Sequence, residues 1–215
     1  MTSRKTQAHI RYKIDGKQVP GVTTIISILE KPAIHYWIAK ITNEGYDWTK
    51  FRDELGDIGT LAHLMIMAHL SSAKLDTDDF TRDQIDRAEN SFLSYLEWEK
   101  RHKVLPLLIE TPLVSKLHNY GGTIDLYCEL DGRKTLIDFK TGKALYDENT
   151  IQAVAYSHLL NENGHKVDSI KILRIGRGEN EGFEVKTIAN TETGWAIFLR
   201  CLAIYELQKR MKKEA

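Results

Sequence analysis

One run of residues limits the possible folds of this chain more than any other: Gly122-Thr-Ile-Asp-Leu-Tyr-Cys-Glu-Leu-Asp-Gly-Arg-Lys-Thr-Leu-Ile-Asp-Phe-Lys-Thr-Gly142. Two strand-like segments flank the pair Asp131-Gly132, whose residues accept the positive φ that a two-residue hairpin loop requires. Leu130 then lies opposite Arg133, and counting back along both strands sets Asp125 opposite Asp138. Side chains alternate, so Lys140 shares the face of the two aspartates, while Ile124, Leu126, Ile137 and Phe139 point the other way. Carboxylates directly across a ladder repel, and burial among apolar neighbours makes that repulsion more costly. A bound divalent cation relieves it, and carboxylate oxygens are ligands that magnesium and manganese prefer. A simple ion pair of Lys140 with both acids at an exposed sheet end relieves it equally well, and a slip of one residue would send the acids to opposite faces.

Around this hairpin the pattern is helical first and extended later. Asp15-Gly16 turns a short N-terminal hairpin between Arg11-Tyr-Lys-Ile and Lys17-Gln-Val. Thr23 or Thr24 can cap a short helix reaching Glu30, and Pro32 lies near the start of the next. Leu55, Ile58, Leu61, Ala62, Met65 and Ile66 recur at helical spacing, and a further helix beginning near Asp78 carries Ile85, Ala88, Phe92, Tyr95 and Leu96 on one face. Strands are expected over 105–115, 122–130, 133–140, 168–175 and 183–188, with helices over 149–161 and 193–212. The fold class is α/β: a mixed central sheet flanked by helices, with a helical N-terminal part. At 215 residues the chain is expected to be one domain, mainly helical over 1–103 and sheet-based over 104–215.

Composition removes several classes of function. The longest nearly apolar stretch, Leu61–Leu70, is interrupted by His63 and His69 and falls short of the roughly 18 residues of a membrane span. Met1-Thr-Ser-Arg-Lys-Thr-Gln7 has no apolar segment behind its basic residues and does not read as a secretory signal, so a cytoplasmic protein is expected. Two cysteines, Cys128 and Cys201, exclude a disulfide framework and a four-cysteine cluster, and read as small core residues. Thirty basic residues balance thirty acidic ones, so no global field recruits nucleic acid.

Other parts carry weaker signals. His63, in Gly59-Thr-Leu-Ala-His63, is either a metal ligand or a satisfied core histidine. Gln152 and Tyr156 share a helical face, where Tyr156 is also compatible with ordinary core. Glu110, in an apolar strand, points to the same site or outward. Gly176-Arg-Gly-Glu-Asn-Glu-Gly182 lacks the lysine and hydroxyl of a phosphate loop and reads as a hairpin loop. Tyr36, Trp37, Tyr46, Trp48 and Lys50 can stack on a single strand, but most of these aromatics are expected in the core.

In this order, Val22-Thr-Thr-Ile-Ile-Ser-Ile-Leu, Gly59-x-x-x-His63, Glu110, Gly122-x-x-Asp125, Asp138-x-Lys140-Thr and Gln152-x-x-x-Tyr156 resemble the RecB-like branch of the PD-(D/E)XK nucleases. The early Val-Thr-Thr segment followed by the Trp37 region is similar to mitochondrial genome maintenance exonucleases and their phage relatives. The resemblance implies metal ligation by His63, Asp125, Asp138 and the Phe139 carbonyl, with Lys140 serving the attacking water. Gln152 and Tyr156 would organise the site, with Glu110 an accessory acid. It further implies one or two magnesium or manganese ions, no iron-sulfur cluster, no membrane, and DNA as partner, as single strands or free ends. Such enzymes serve recombination, replication or repair in a bacterium or phage-infected host. Ile124 stands where the family often has proline. The rival readings are a structure-specific endonuclease, a non-catalytic nuclease-fold module binding DNA or protein, and a metal-free scaffold.

Overall fold

The computed structural model describes residues 11–30, 32–178 and 181–214. Met1–Gln7, and Glu179 and Asn180 of the loop after Gly176, lie outside the described residues. Five strands form the central sheet: β3 (Val104–Ser115), β4 (Tyr120–Leu130), β5 (Arg133–Lys140), β6 (Ser169–Ile175) and β7 (Phe183–Thr187), in that spatial order. β1 (Lys13–Ile14) and β2 (Lys17–Gln18) form a separate hairpin turned at Asp15-Gly16. All neighbours in the main sheet are antiparallel except β5 and β6, which are parallel. A parallel pair needs a crossover, and α5 (Asp147–Glu162) supplies it.

Asp131 and Gly132 both have positive φ, 49° and 82°. The register follows from them, with Leu130 opposite Arg133 and Leu126 opposite Ile137.

Both faces of the sheet are covered. α3 (Trp48–Ser71) and α4 (Arg82–Glu99) lie on one, where Ile66, Met67, Tyr95 and Trp98 pack with Leu126, Leu130, Ile137, Phe139 and Leu173. α1 (Val22–Ile26), α5 and α6 (Glu192–Glu214) lie on the other, where Ile25, Val154, Leu159 and Phe198 pack with Tyr120, Tyr127, Leu136 and Ile172. This double burial explains the near-continuous apolar runs of β5 and β6. Cys128 and Cys201 are buried free thiols, and no described helix is long and apolar enough to cross a membrane. Asp47 caps α3 by accepting from the Thr49 N–H at 2.9 Å, and Thr81 with Gln84 forms a reciprocal capping box on α4.

Two local expectations are corrected. α1 starts at Val22 behind Gly21, with no side-chain cap, and ends at Ile26 rather than Glu30. Gly21 is bridged to Gly121 of β4, and the Gly121 N–H donates to the Pro20 carbonyl. The sheet edge therefore sets the point of helix entry, one residue before either threonine can cap it. The second correction concerns Ile124, which packs beneath α5 while Leu126 packs beneath α3 and α4. The alternation of β4 breaks at Asp125. On the neighbouring strand Ile109 faces Leu126 and Thr111 faces Ile124, with no ladder pair between them, and the intervening Glu110 has φ of 46°. A non-glycine residue in that region interrupts the pleat and turns adjacent side chains to new directions.

Candidate active site

Five elements deliver the predicted residues to one end of the sheet: His63 from α3, Glu110 from β3, Asp125 from β4, Asp138 and Lys140 from β5, and Gln152 and Tyr156 from α5. Two glycines permit the approach. A Cβ on Gly59 would lie 2.7 Å from Thr141 Oγ1, so only a bare backbone lets α3 close on the end of β5, one turn before His63. A Cβ on Gly122 would lie 2.5 Å from Tyr156 Cε1 and 3.0 Å from Leu159 Cδ1, so the phenol ring rests on the backbone of β4.

His63, Glu110 and Asp125 each offer a ligand atom, and these atoms all lie within 4.8 Å of one another. His63 Nδ1 is 3.8 Å from Asp125 Oδ1, and the imidazole stands edge-on to Phe139 with centroids 5.9 Å apart. The Phe139 N–H donates to Asp125 Oδ2 at 2.8 Å, which fixes that carboxylate. The expectation for Phe139 concerned its carbonyl; the contact seen to the site is through its N–H. The three-atom group includes Glu110, expected only as an accessory, and does not include Asp138. Asp138 is buried, and its Oδ2 lies 2.6 Å from Lys140 Nζ; apart from this ion pair that oxygen has no partner.

The electrostatics of the group favour a cation. Burial, reinforced by the Asp125 charge, pushes the Glu110 carboxyl up to about 7. Burial also raises Asp138, with Lys140 opposing and Asp125 reinforcing the shift. Burial would lower Lys140, but Asp138 and Asp125 outweigh it and hold the ammonium above its ordinary range. Lys140 is therefore charged in the metal-free protein. The Gln152 side-chain amide donates to the Tyr156 oxygen at 2.8 Å. Burial, with the Asp138 charge adding to it, keeps that phenol protonated.

Two neighbours of the site are not foreseen from the sequence. Tyr12 Oη lies 2.9 Å from Thr123 Oγ1, and the Tyr12 ring fills the space that a Cβ on Gly121 would need. The consecutive pair Gly121-Gly122 inside a strand is the available signal, since each marks a ring laid on the backbone. The N-terminal aromatics are a further correction. Tyr36 is 80% and Tyr46 59% exposed, and Trp37 and Trp48 are only half-buried. Trp37 and Tyr46 pack on Phe51, with centroids 6.0 and 6.1 Å from it, and the Arg52 guanidinium lies 5.3 Å over Trp48. This cluster lies outside the three core clusters, so its rings stay open to solvent.

No family model and no curated protein matches the chain. Among solved structures it is similar to the crystal structure of an alkaline exonuclease (LHK-Exo) from Laribacter hongkongensis, with 14% identity over 73% of this chain and 85% of that one, at a TM-score of 0.35. It is also similar to LHK-Exo in complex with dAMP, with 13% identity over the same shares and a TM-score of 0.29.

Proposed function

We propose that the chain is a metal-dependent deoxyribonuclease of the RecB-like PD-(D/E)XK type, an exonuclease that hydrolyses phosphodiester bonds at single-stranded DNA ends in recombination, replication or repair. The observation that carries this reading is the convergence of His63, Glu110 and Asp125 beside the buried Asp138–Lys140 pair. The donor set fits the metal: two carboxylates and an imidazole suit manganese and magnesium, and burial, with the Asp125 charge adding to it, pushes Glu110 towards neutrality, a cost that a bound cation would relieve. His63, Glu110 and Asp125 would hold one ion, and Asp138 with the Phe139 carbonyl would complete the set that the family resemblance implies. When bound, such an ion polarises a phosphodiester and lowers the pKa of water.

The remaining work falls to the chain's own groups. Lys140, kept cationic by Asp138, orients the attacking water and offsets charge developing on the phosphoryl oxygens. Asp125, anchored by the Phe139 N–H, keeps its other oxygen free for the site. Gln152 fixes the Tyr156 oxygen as an acceptor, which leaves the phenol's own proton to be donated towards a phosphate oxygen. The exposed rings of Tyr36 and Tyr46 offer stacking surfaces that tolerate any base, as single-strand binding requires.

Calorimetric titration with manganese or magnesium, joined to digestion of end-labelled DNA, tests the reading. The wild type should bind the ion and degrade DNA, and Asp125→Asn should bind it more weakly. Lys140→Gln, which keeps a donor for Asp138, should retain the fold but lose about 10²-fold or more in rate. Unchanged cleavage by Lys140→Gln would remove the lysine from the mechanism, and no metal binding by the wild type would remove the enzyme reading.

A further inference from the structure

A cleft of about 520 Å³ lies between the N-terminal hairpin, the start of α1 and the outer half of α6. Its polar lining comprises Arg11, Tyr12, Gln18, Thr23, Thr24, Tyr205 and Lys209, and no described carboxylate borders it. In a chain whose charges balance overall, a cleft with two cations and no acid is a local positive region. Some surface cations elsewhere are ion-paired, as in Lys40 with Glu44 and Arg82 with Asp86, and Glu206, one turn before Lys209 on α6, lines the adjoining cleft rather than this one. Thr23 and Thr24 are exposed and do not cap α1, whose first residue follows Gly21 directly.

Tyr12 joins this cleft to the catalytic end of the sheet. It lines the cleft, yet its hydroxyl reaches Thr123 at 2.9 Å. Thr123 precedes Asp125 by two residues on β4, a separation of about 7 Å along a strand. A phosphodiester chain repeats on that length scale, so one strand can lie in both places at once.

Resting on the nuclease reading, we infer that this cleft seats the phosphate backbone of the nucleic acid strand flanking the scissile bond. Arg11 and Lys209 contact successive phosphates, the hydroxyls of Thr23 and Thr24 donate to their oxygens, and the rings of Tyr12 and Tyr205 meet the sugar or base. This gives the Val22-Thr-Thr segment a role that helix capping does not provide: it presents two hydroxyls to the substrate.

The test is fluorescence anisotropy of a labelled short oligothymidylate in EDTA, where no cleavage occurs, over a series of salt concentrations. Relative to wild type, Arg11→Ala/Lys209→Ala should bind about tenfold more weakly, and the slope of log affinity against log salt should shrink by about 1.4, from about 0.7 per lost single-strand phosphate contact. Lys74→Ala, outside the cleft, should leave both unchanged. Hydrolysis of bis(p-nitrophenyl) phosphate with manganese, which needs only the metal site, should be the same in wild type and double variant. If the double variant binds the oligonucleotide with wild-type affinity and slope, or the wild type does not bind it, the cleft assignment is overturned. If binding behaves as expected but wild type hydrolyses neither DNA nor the small diester, the nuclease reading falls while the cleft stands as a nucleic acid site.

Discussion

Glu110 holds an uncommon backbone conformation, φ of 46°, and a carboxyl pushed up to about 7 by burial and by Asp125. In the metal-free folded chain it keeps its proton at pH values where the unfolded chain, with an ordinary glutamate pKa of about 4.3, has lost it. The folded state thus binds more protons over that interval, and stability must fall as pH rises from about 4 to about 7 and then level off. A tenfold change in proton affinity corresponds to about 1.4 kcal/mol, so the span from about 4.3 to about 7 puts the loss on the order of 3–4 kcal/mol. Melting curves of the metal-free protein should show this decline, and Glu110→Gln should reduce it, leaving the part that the raised Asp138 carboxyl contributes. Saturating manganese should raise the melting temperature more at the alkaline end of the range than at the acidic end. Identical pH profiles for wild type and Glu110→Gln would show that Glu110 is not the strained group.

At the scale of the element, the site depends on how closely helices approach bare backbone. Gly122→Ala would drive a methyl into the Tyr156 ring and Leu159. Overpacking of this kind costs about 1–3 kcal/mol. Denaturant unfolding should reveal that loss, and the displaced phenol should lower DNA cleavage further than the stability change accounts for. A variant with wild-type stability and activity would mean that Tyr156 is free to move aside. Much at this scale is legible along the chain. The Asp131-Gly132 turn admits one register, and α3 and α4 announce themselves through apolar spacing, although the second begins at Arg82 behind a Thr81 cap rather than near Asp78. The bounds of α1 are not legible, because its entry point is set by Gly21 pairing with Gly121, a residue a hundred positions away.

At the scale of the whole molecule, the sheet is covered on both faces, and Tyr36 on α2 (Pro32–Asn43) and Tyr46 in the segment between α2 and α3 are exposed. An enzyme that feeds on ends through stacked bases should degrade end-labelled linear single strands and leave closed single-stranded circles intact. Gel analysis of both substrates under one set of conditions checks this; rapid nicking of circles would favour a structure-specific endonuclease instead.

Turn chemistry, caps and apolar periodicity act between near neighbours, so the residues alone determined the hairpin, its register through Leu126 and Ile137, the long helices and the gathering of acids with a lysine. Which acid joins which partner was decided by tertiary structure. Glu110 enters the group with His63 and Asp125 because its backbone breaks the β3–β4 pleat, and the buried Asp138 pairs with Lys140, two residues on along β5. The exposure of Tyr36 and Tyr46 was settled in the same way, since α2 rests on α3 and never reaches the sheet's core. A side chain's final direction at a broken pleat, and its distance from water, depend on segments far apart in the chain, which no local pattern records.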